Sequence, residues 1–253
     1  MSRLLAWCVA FLGIGASLAS ARAQSARVEL DHVFIVVPPG GAAEIAALRS
    51  AGLTVRSEPS EHDGQGTASV AAFFDNAYLE LIWVDSSVSI DQEHAHTAER
   101  FRQASAWRET GMSPFGFGLR RLAGDTAALP VPVKREFAAW LPPGAAYELL
   151  HQAADSLAAD FFVVPPSNAV PSWIAAALQR WPDLFRHSGG GREVTLVRVA
   201  SPAVHEPTAF RVLQPGRIEI IRGTEPLLEL HIDGGMRGQR TDLRPSLPLV
   251  IVR

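Results

Sequence analysis

The apolar runs of this chain are short, and nothing else in it constrains the fold as strongly. Leu30-Asp31-His32-Val33-Phe34-Ile35-Val36-Val37 is rich in β-branched residues and closes at Pro38-Pro39-Gly40, which reads as a strand and its turn. Residues 42–50 carry Ile45, Leu48 and good helix formers, and Gly52 stops them. Residues 53–57 predict a short strand and residues 58–66 a polar loop containing glycine. Residues 67–74 and 77–84 return to strand composition on either side of an Asp75-Asn76 turn, a hairpin signal. The order is β-α-β-β-β within about sixty residues.

Two of these runs hold a residue that apolar packing would not choose. His32 lies near the start of the first, and Glu80 lies inside Tyr78-Leu79-Glu80-Leu81-Ile82. A carboxylate flanked by leucines on a strand faces either solvent or a polar cavity, since its burial without a partner is costly. A histidine near the start of one strand and a carboxylate in the middle of another make half of a metal site.

The N-terminus has the pattern of a secretory signal peptide: Met1-Ser2-Arg3, an apolar core over residues 4–18, and Ala21-Arg22-Ala23 before a cleavage point at Gln24. The expectation is a signal over residues 1–23 and a periplasmic or secreted protein with no membrane span after cleavage. Cys8, the single cysteine, falls inside that segment, so the mature chain would have neither disulfides nor a thiol nucleophile. With 253 residues, 47% of them hydrophobic, the chain can bury a real core without disulfides, and a net charge of -3 gives no case for a nucleic-acid partner.

Further along, residues 92–109 have a helical, charged character, and Phe115-Gly116-Phe117-Gly118-Leu119 alternates as a strand does. Residues 134–141 and 161–164 are strand candidates that end in Pro-Pro, and residues 172–184 form an amphipathic helix. From residue 193 the opening pattern returns: a strand at 194–200, a short helix at 207–214, and strands at 217–221, 227–232 and 247–252. The organisation expected is a first module at 27–85, a connecting segment at 86–192 and a second, degenerate module at 193–253.

The stretches Leu30-Asp31-His32-Val33, His62-Asp63-Gly64-Gln65-Gly66-Thr67 and Asn76-Ala77-Tyr78-Leu79-Glu80-Leu81-Ile82-Trp83 resemble the glyoxalase-like branch of the vicinal oxygen chelate superfamily. The resemblance implies an α+β fold of paired β-α-β-β-β modules, forming curled, mixed sheets around a cavity. It also implies a divalent metal, Fe, Mn, Zn or Ni, that polarises two neighbouring oxygens of a small molecule. The family's first-strand ligand falls on His32 and its last-strand ligand on Glu80; His62, in the loop feeding the strand before Glu80, is the best third donor of the first module, although the polar stretch 62–67 reads first as a simple turn. Glu80 is also the carboxylate placed to move a proton. In the second module Leu196 stands opposite His32, and residues 247–252 offer no donor.

Other polar clusters take plainer readings. Glu93-His94-Ala95-His96 reads as a solvated helix start, and His187-Ser188-Gly189-Gly190-Gly191 as a loop carrying one cavity-facing histidine. Leu228-Glu229-Leu230-His231 repeats the Glu80 motif, with Glu229 and His231 on one strand face. The expected function is a metal-dependent enzyme of lyase, isomerase or dioxygenase type acting on a small oxygenated organic molecule. The alternative is a metal-free protein that binds and sequesters a small ligand. A monomer or homodimer is expected.

Overall fold

The computed structural model describes residues 27–150, 158–202 and 208–253; the expected signal over residues 1–23 lies outside the described residues. Strand β1 (Val28–Val36) turns at Pro38-Pro39-Gly40 into helix α1 (Ala42–Ser50). Three strands follow: β2 (Ser60–His62), β3 (Thr67–Phe73) and β4 (Tyr78–Val84). Residues 53–57, expected as a strand, form no ladder; the edge strand lies a few residues later, in the stretch expected to be loop. There His62 pairs with Thr67 across a turn in which Gly64 and Gly66 both take positive φ.

Helices α2 (Ala95–Ser105) and α3 (Trp107–Thr110) lead to β5 (Phe115–Arg121), β6 (Val133–Glu136), β7 (Tyr147–Leu150) and β8 (Asp160–Val163). Helix α4 (Val170–Arg180) then crosses to the last region. Among the described residues these strands make one mixed sheet of eight, in the order β2-β3-β4-β1-β5-β8-β7-β6. Its seam is the antiparallel β1·β5 pair, flanked by the parallel pairs β1·β4 and β5·β8. The strands that complete the sheet beside the first module therefore come from residues 115–163, within the connecting segment.

The last region holds β9 (Val194–Ser201), α5 (Thr208–Leu213), β10 (Ile218–Arg222), β11 (Leu227–Ile232), β12 (Arg240–Asp242) and β13 (Leu249–Val252). These strands form a separate mixed sheet in the order β10-β9-β11-β13-β12. The architecture is mixed α+β, with two open sheets and few helices.

Strand alternation sets the layers. Val33, Ile35, Leu79, Leu81, Phe117 and Leu119 point to one face of the large sheet, where they share a core with Val197, Val199, Leu228, Leu230, Leu249 and Ile251 of the small one. Six fully buried large side chains of this kind contribute roughly 1.5–3 kcal/mol each on the area scale, which fixes the back of the sheet. The opposite face carries His32, Phe34, Tyr78, Glu80 and Ile82, and it opens on a cavity. No helix among the described residues is long and apolar enough to cross a membrane.

Candidate functional site

The cavity has a volume of about 530 Å³, within the range of small-molecule pockets. Its floor is the front face of β1, β4 and β8, and its walls come from α2 and the β6–β7 hairpin. The sheet curls far enough for its two edges to meet through rings: His62 on β2 and Trp140 after β6 have centroids 5.2 Å apart. The lining is mainly aromatic, with Phe34, Tyr78, Phe101, Trp140, Tyr147 and Phe162 prominent.

A bulge in β1 aims the central group. Leu30 pairs with Leu119 and His32 with Gly118, leaving Asp31 as the extra residue. Leu30 and Val33, three positions apart, consequently both face the core, and His32 is turned to the cavity. Asp31 is fully buried. One of its oxygens lies 3.0 Å from His32 Nδ1. The other accepts the backbone N–H of Val170, at the start of α4, at 2.7 Å and lies 3.6 Å from an Arg120 nitrogen. A helix N-terminus and a guanidinium together offset the cost of burying this carboxylate.

The His32 ring lies flat against Tyr78, with centroids 4.4 Å apart and planes at 11°, and meets the edge of Phe162. It also lies over β5, and this requires glycine there. A Cβ at Gly118 would stand 2.1 Å from His32 Cε1, and one at Gly116 would stand 1.9 Å from Phe34 Cζ. The Phe-Gly-Phe-Gly alternation thus puts phenylalanine into the core and leaves room for rings on the cavity side.

Glu80 reaches the same point from β4. Phe34 pairs with Glu80 and His32 with Tyr78, so both functional side chains rise from one face on adjacent parallel strands. His32 Nε2 and Glu80 Oε2 are 4.0 Å apart. Among the described residues no donor hydrogen-bonds the Glu80 carboxylate. His62 lines the cavity too, its Nδ1 2.9 Å from the Thr67 hydroxyl, which itself donates to Gln65. Burial lowers the His62 pKa, with nearby Glu80 opposing that shift and His32 adding to it.

Tyr147 and Tyr78 complete the inner wall. Burial pushes the Tyr147 phenol up to about 12, with Glu80, Asp31 and Glu136 adding to the shift and the Trp140 N–H bond opposing it. Tyr78 is raised as well, first by burial and then by Glu80 and Asp31. Further out, burial raises Glu136, whose carboxylate lies 3.7 Å from His94 Nε2. Burial also raises Asp160, although Arg100 holds it at 2.8 Å.

The donor set meets a metal only halfway. Two donors converge, yet among the described residues no three of His, Cys, Asp and Glu gather closely enough to hold an ion. A catalytic metal usually needs three fixed donors. A two-fold axis drawn through the Val33–Phe117 pair carries His32 onto Gly116, and the Phe34–Glu80 pair onto Gly118–Phe162. The half of the sheet that should supply further ligands supplies a glycine and a phenyl ring.

Several sequence expectations land elsewhere. His187 does not face the cavity: its Nδ1 accepts the Thr54 N–H at 3.0 Å and its Nε2 lies 3.0 Å from the Phe73 carbonyl. In the Glu93–His96 stretch His96 is exposed, but His94 is buried. Asp31, Tyr78, Tyr147 and Phe162 join the site without having been singled out. The Asp-His doublet that breaks the alternation of β1 was the available signal for Asp31.

Residues 30–131 match the family model of a glyoxalase-like domain. No curated protein matches the chain. A crystal structure of a hypothetical protein from Staphylococcus aureus is similar over 88% of this chain and 97% of that one, with a TM-score of 0.50 and 12% identity. That likeness is one of fold.

Proposed function

We propose, from the glyoxalase-like domain at residues 30–131 and the geometry around His32, that the chain binds a small oxygenated organic molecule and moves a proton on it. The observation that carries this reading is the Asp31–His32 pair, whose Nε2 is turned to the cavity beside Glu80. A carboxylate acceptor at Nδ1 assigns the ring proton to that nitrogen and leaves Nε2 a lone pair, the form of a general base. Asp31 is itself fixed by Val170 and Arg120, so the base is oriented before any ligand arrives.

A proton taken from a carbon beside a carbonyl leaves negative charge on oxygen. Tyr147 stays protonated through the neutral range and accepts the Trp140 N–H, so its own hydrogen is available to that oxygen. Glu80 offers a second proton site next to His32. Returning the proton at the neighbouring carbon is isomerisation, and expelling a leaving group there is a lyase step. Both belong to the chemistry that the resemblance implies. Among the described residues the donors at this point fall short of the three that a catalytic metal needs, so the proton transfer rests on the chain's own groups. A second reading, ligand capture without turnover, is favoured by the aromatic walls.

Deuterium wash-in to α-hydroxyacetophenone in heavy water, followed by proton NMR, tests the reading. Exchange should fall about a hundredfold or more in His32→Gln, and less steeply in Asp31→Asn. Equal exchange by His32→Gln and the unsubstituted protein sinks the proton-transfer reading, and binding without exchange selects capture. Metal content should be near zero in the exchanging protein. Loss of exchange on EDTA treatment would restore the metal expected from the resemblance.

A further inference from the structure

We infer that the ligand of this cavity carries a positively charged nitrogen, an organic ammonium on an apolar or aromatic body. The inference rests on the small-molecule reading above and names the ligand's class.

The polar groups of the inner cavity are acceptors in excess. Glu80 has no hydrogen-bond donor among the described residues, and its nearest basic group, His32 Nε2, stands 4.0 Å away, beyond hydrogen-bond reach, while Nδ1 lies against Asp31. His62 Nε2 holds a lone pair, because Thr67 spends its hydrogen on Gln65 and accepts at His62 Nδ1. Glu136 likewise accepts no side-chain hydrogen bond among the described residues, with His94 at 3.7 Å. The cations of the lining leave Glu80 unmatched: Arg100 is bound to Asp160, and Lys134, exposed at the rim, acts on Glu136.

A half-buried carboxylate without a donor costs stability until something supplies the charge. Between Glu80 and Glu136 the wall is aromatic, and Tyr147 senses both carboxylates. Aromatic faces beside an unpaired carboxylate suit an organic cation, which gains from the ring quadrupole and the charge together. An anionic group would meet two carboxylates at close quarters. A metal ion would lack its third fixed donor.

The test titrates EDTA-treated full-length protein at neutral pH with benzylamine, benzyl alcohol and benzoate, followed by calorimetry. The ammonium should bind about tenfold more tightly than the alcohol, and benzoate most weakly. Glu80→Gln should abolish that preference while retaining the alcohol, whose binding shows that the variant is folded, and Glu136→Gln should reduce it. Benzoate binding as tightly as benzylamine overturns the inference, as does an unchanged order in both variants. Alcohol binding that Trp140→Ala removes, without any ammonium preference, defeats the inference and leaves the cavity reading standing. Failure of all three probes to bind overturns both.

Discussion

Two stretches of this chain read almost alike and live very differently. Tyr78-Leu79-Glu80-Leu81-Ile82 and Leu227-Leu228-Glu229-Leu230-His231-Ile232 each form a strand with two leucines, Leu79 and Leu81 or Leu228 and Leu230, fully buried on one face. Their carboxylates are almost equally accessible, 13% for Glu80 and 16% for Glu229. Exposure does not separate them; partners do. Glu229 sits on the outer face of the small sheet and is gripped by Arg240 at 2.7 Å, Arg198 at 3.2 Å and His231 at 3.4 Å. Burial alone would raise its pKa, but those three bonds outweigh it and hold the carboxylate below its usual range. Glu80 faces a cavity, with His32 Nε2 4.0 Å away. A carboxylate held by two arginines and a histidine is structural, whereas one left without a donor among the described residues awaits a ligand.

The contrast breaks most visibly at the support behind each carboxylate. Asp31→Ala strips the partner from His32 and the Val170 N–H in a fully buried place, although Arg120 keeps Glu29, and should cost about 3 kcal/mol in urea unfolding. Glu229→Ala, among cations that are one-third to one-half exposed, should cost at most about 1 kcal/mol. Equal losses would mean that the outer network carries as much of the fold as the inner one.

Packing gives the next largest effect. Gly118→Ala drives a methyl into the His32 ring and should destabilise by about 1–3 kcal/mol, with ligand binding lost as the ring is displaced. A binding-competent, fully stable Gly118→Ala protein would show that the ring's place over β5 is unimportant.

At the two glutamates themselves the effects should cross. Glu80→Gln should change stability by no more than about 0.5 kcal/mol while removing proton transfer. Glu229→Gln should lower the thermal midpoint and leave the cavity's activity untouched.

The smallest effect is in pH. Glu229 has a lowered folded pKa, so its stabilisation is full above the ordinary carboxylate range and disappears as pH falls through the folded value. Glu136 has a raised one, so relative stability is present below the ordinary value and lost as pH rises through the folded value. Glu136→Gln should therefore melt higher than the unsubstituted protein near neutrality and converge with it in acid. Glu229→Gln should melt lower near neutrality and converge likewise. Shifts of the same sign in both variants would refute the assignment.

Strand and helix placement in the first module follows from local pattern, because β-branched runs, proline-glycine stops and the Asp75-Asn76 turn act over a few residues. The edge strand was misplaced by a few residues, since a polar three-residue strand has almost no apolar period to detect. Strand β7, Tyr147–Leu150, is only four residues long, too short to show a strand period. The partner of the first module was harder still. The region from residue 193 repeats the local order of elements, but β1 zips to β5, a choice made by glycine spacing and register that sequence order does not encode.

What the sequence determined by itself was the kind of residue available: a histidine and a carboxylate in apolar strands, each too costly to bury without a purpose. That His32 and Glu80 rise on one face, 4.0 Å apart, was decided by a bulge at Asp31 and the parallel β1·β4 register. That the near-identical Glu229 motif turns outward among arginines was decided by which sheet its leucines helped to seal. A strand pattern specifies two faces, and only packing against the rest of the molecule says which face meets the core, the cavity or water.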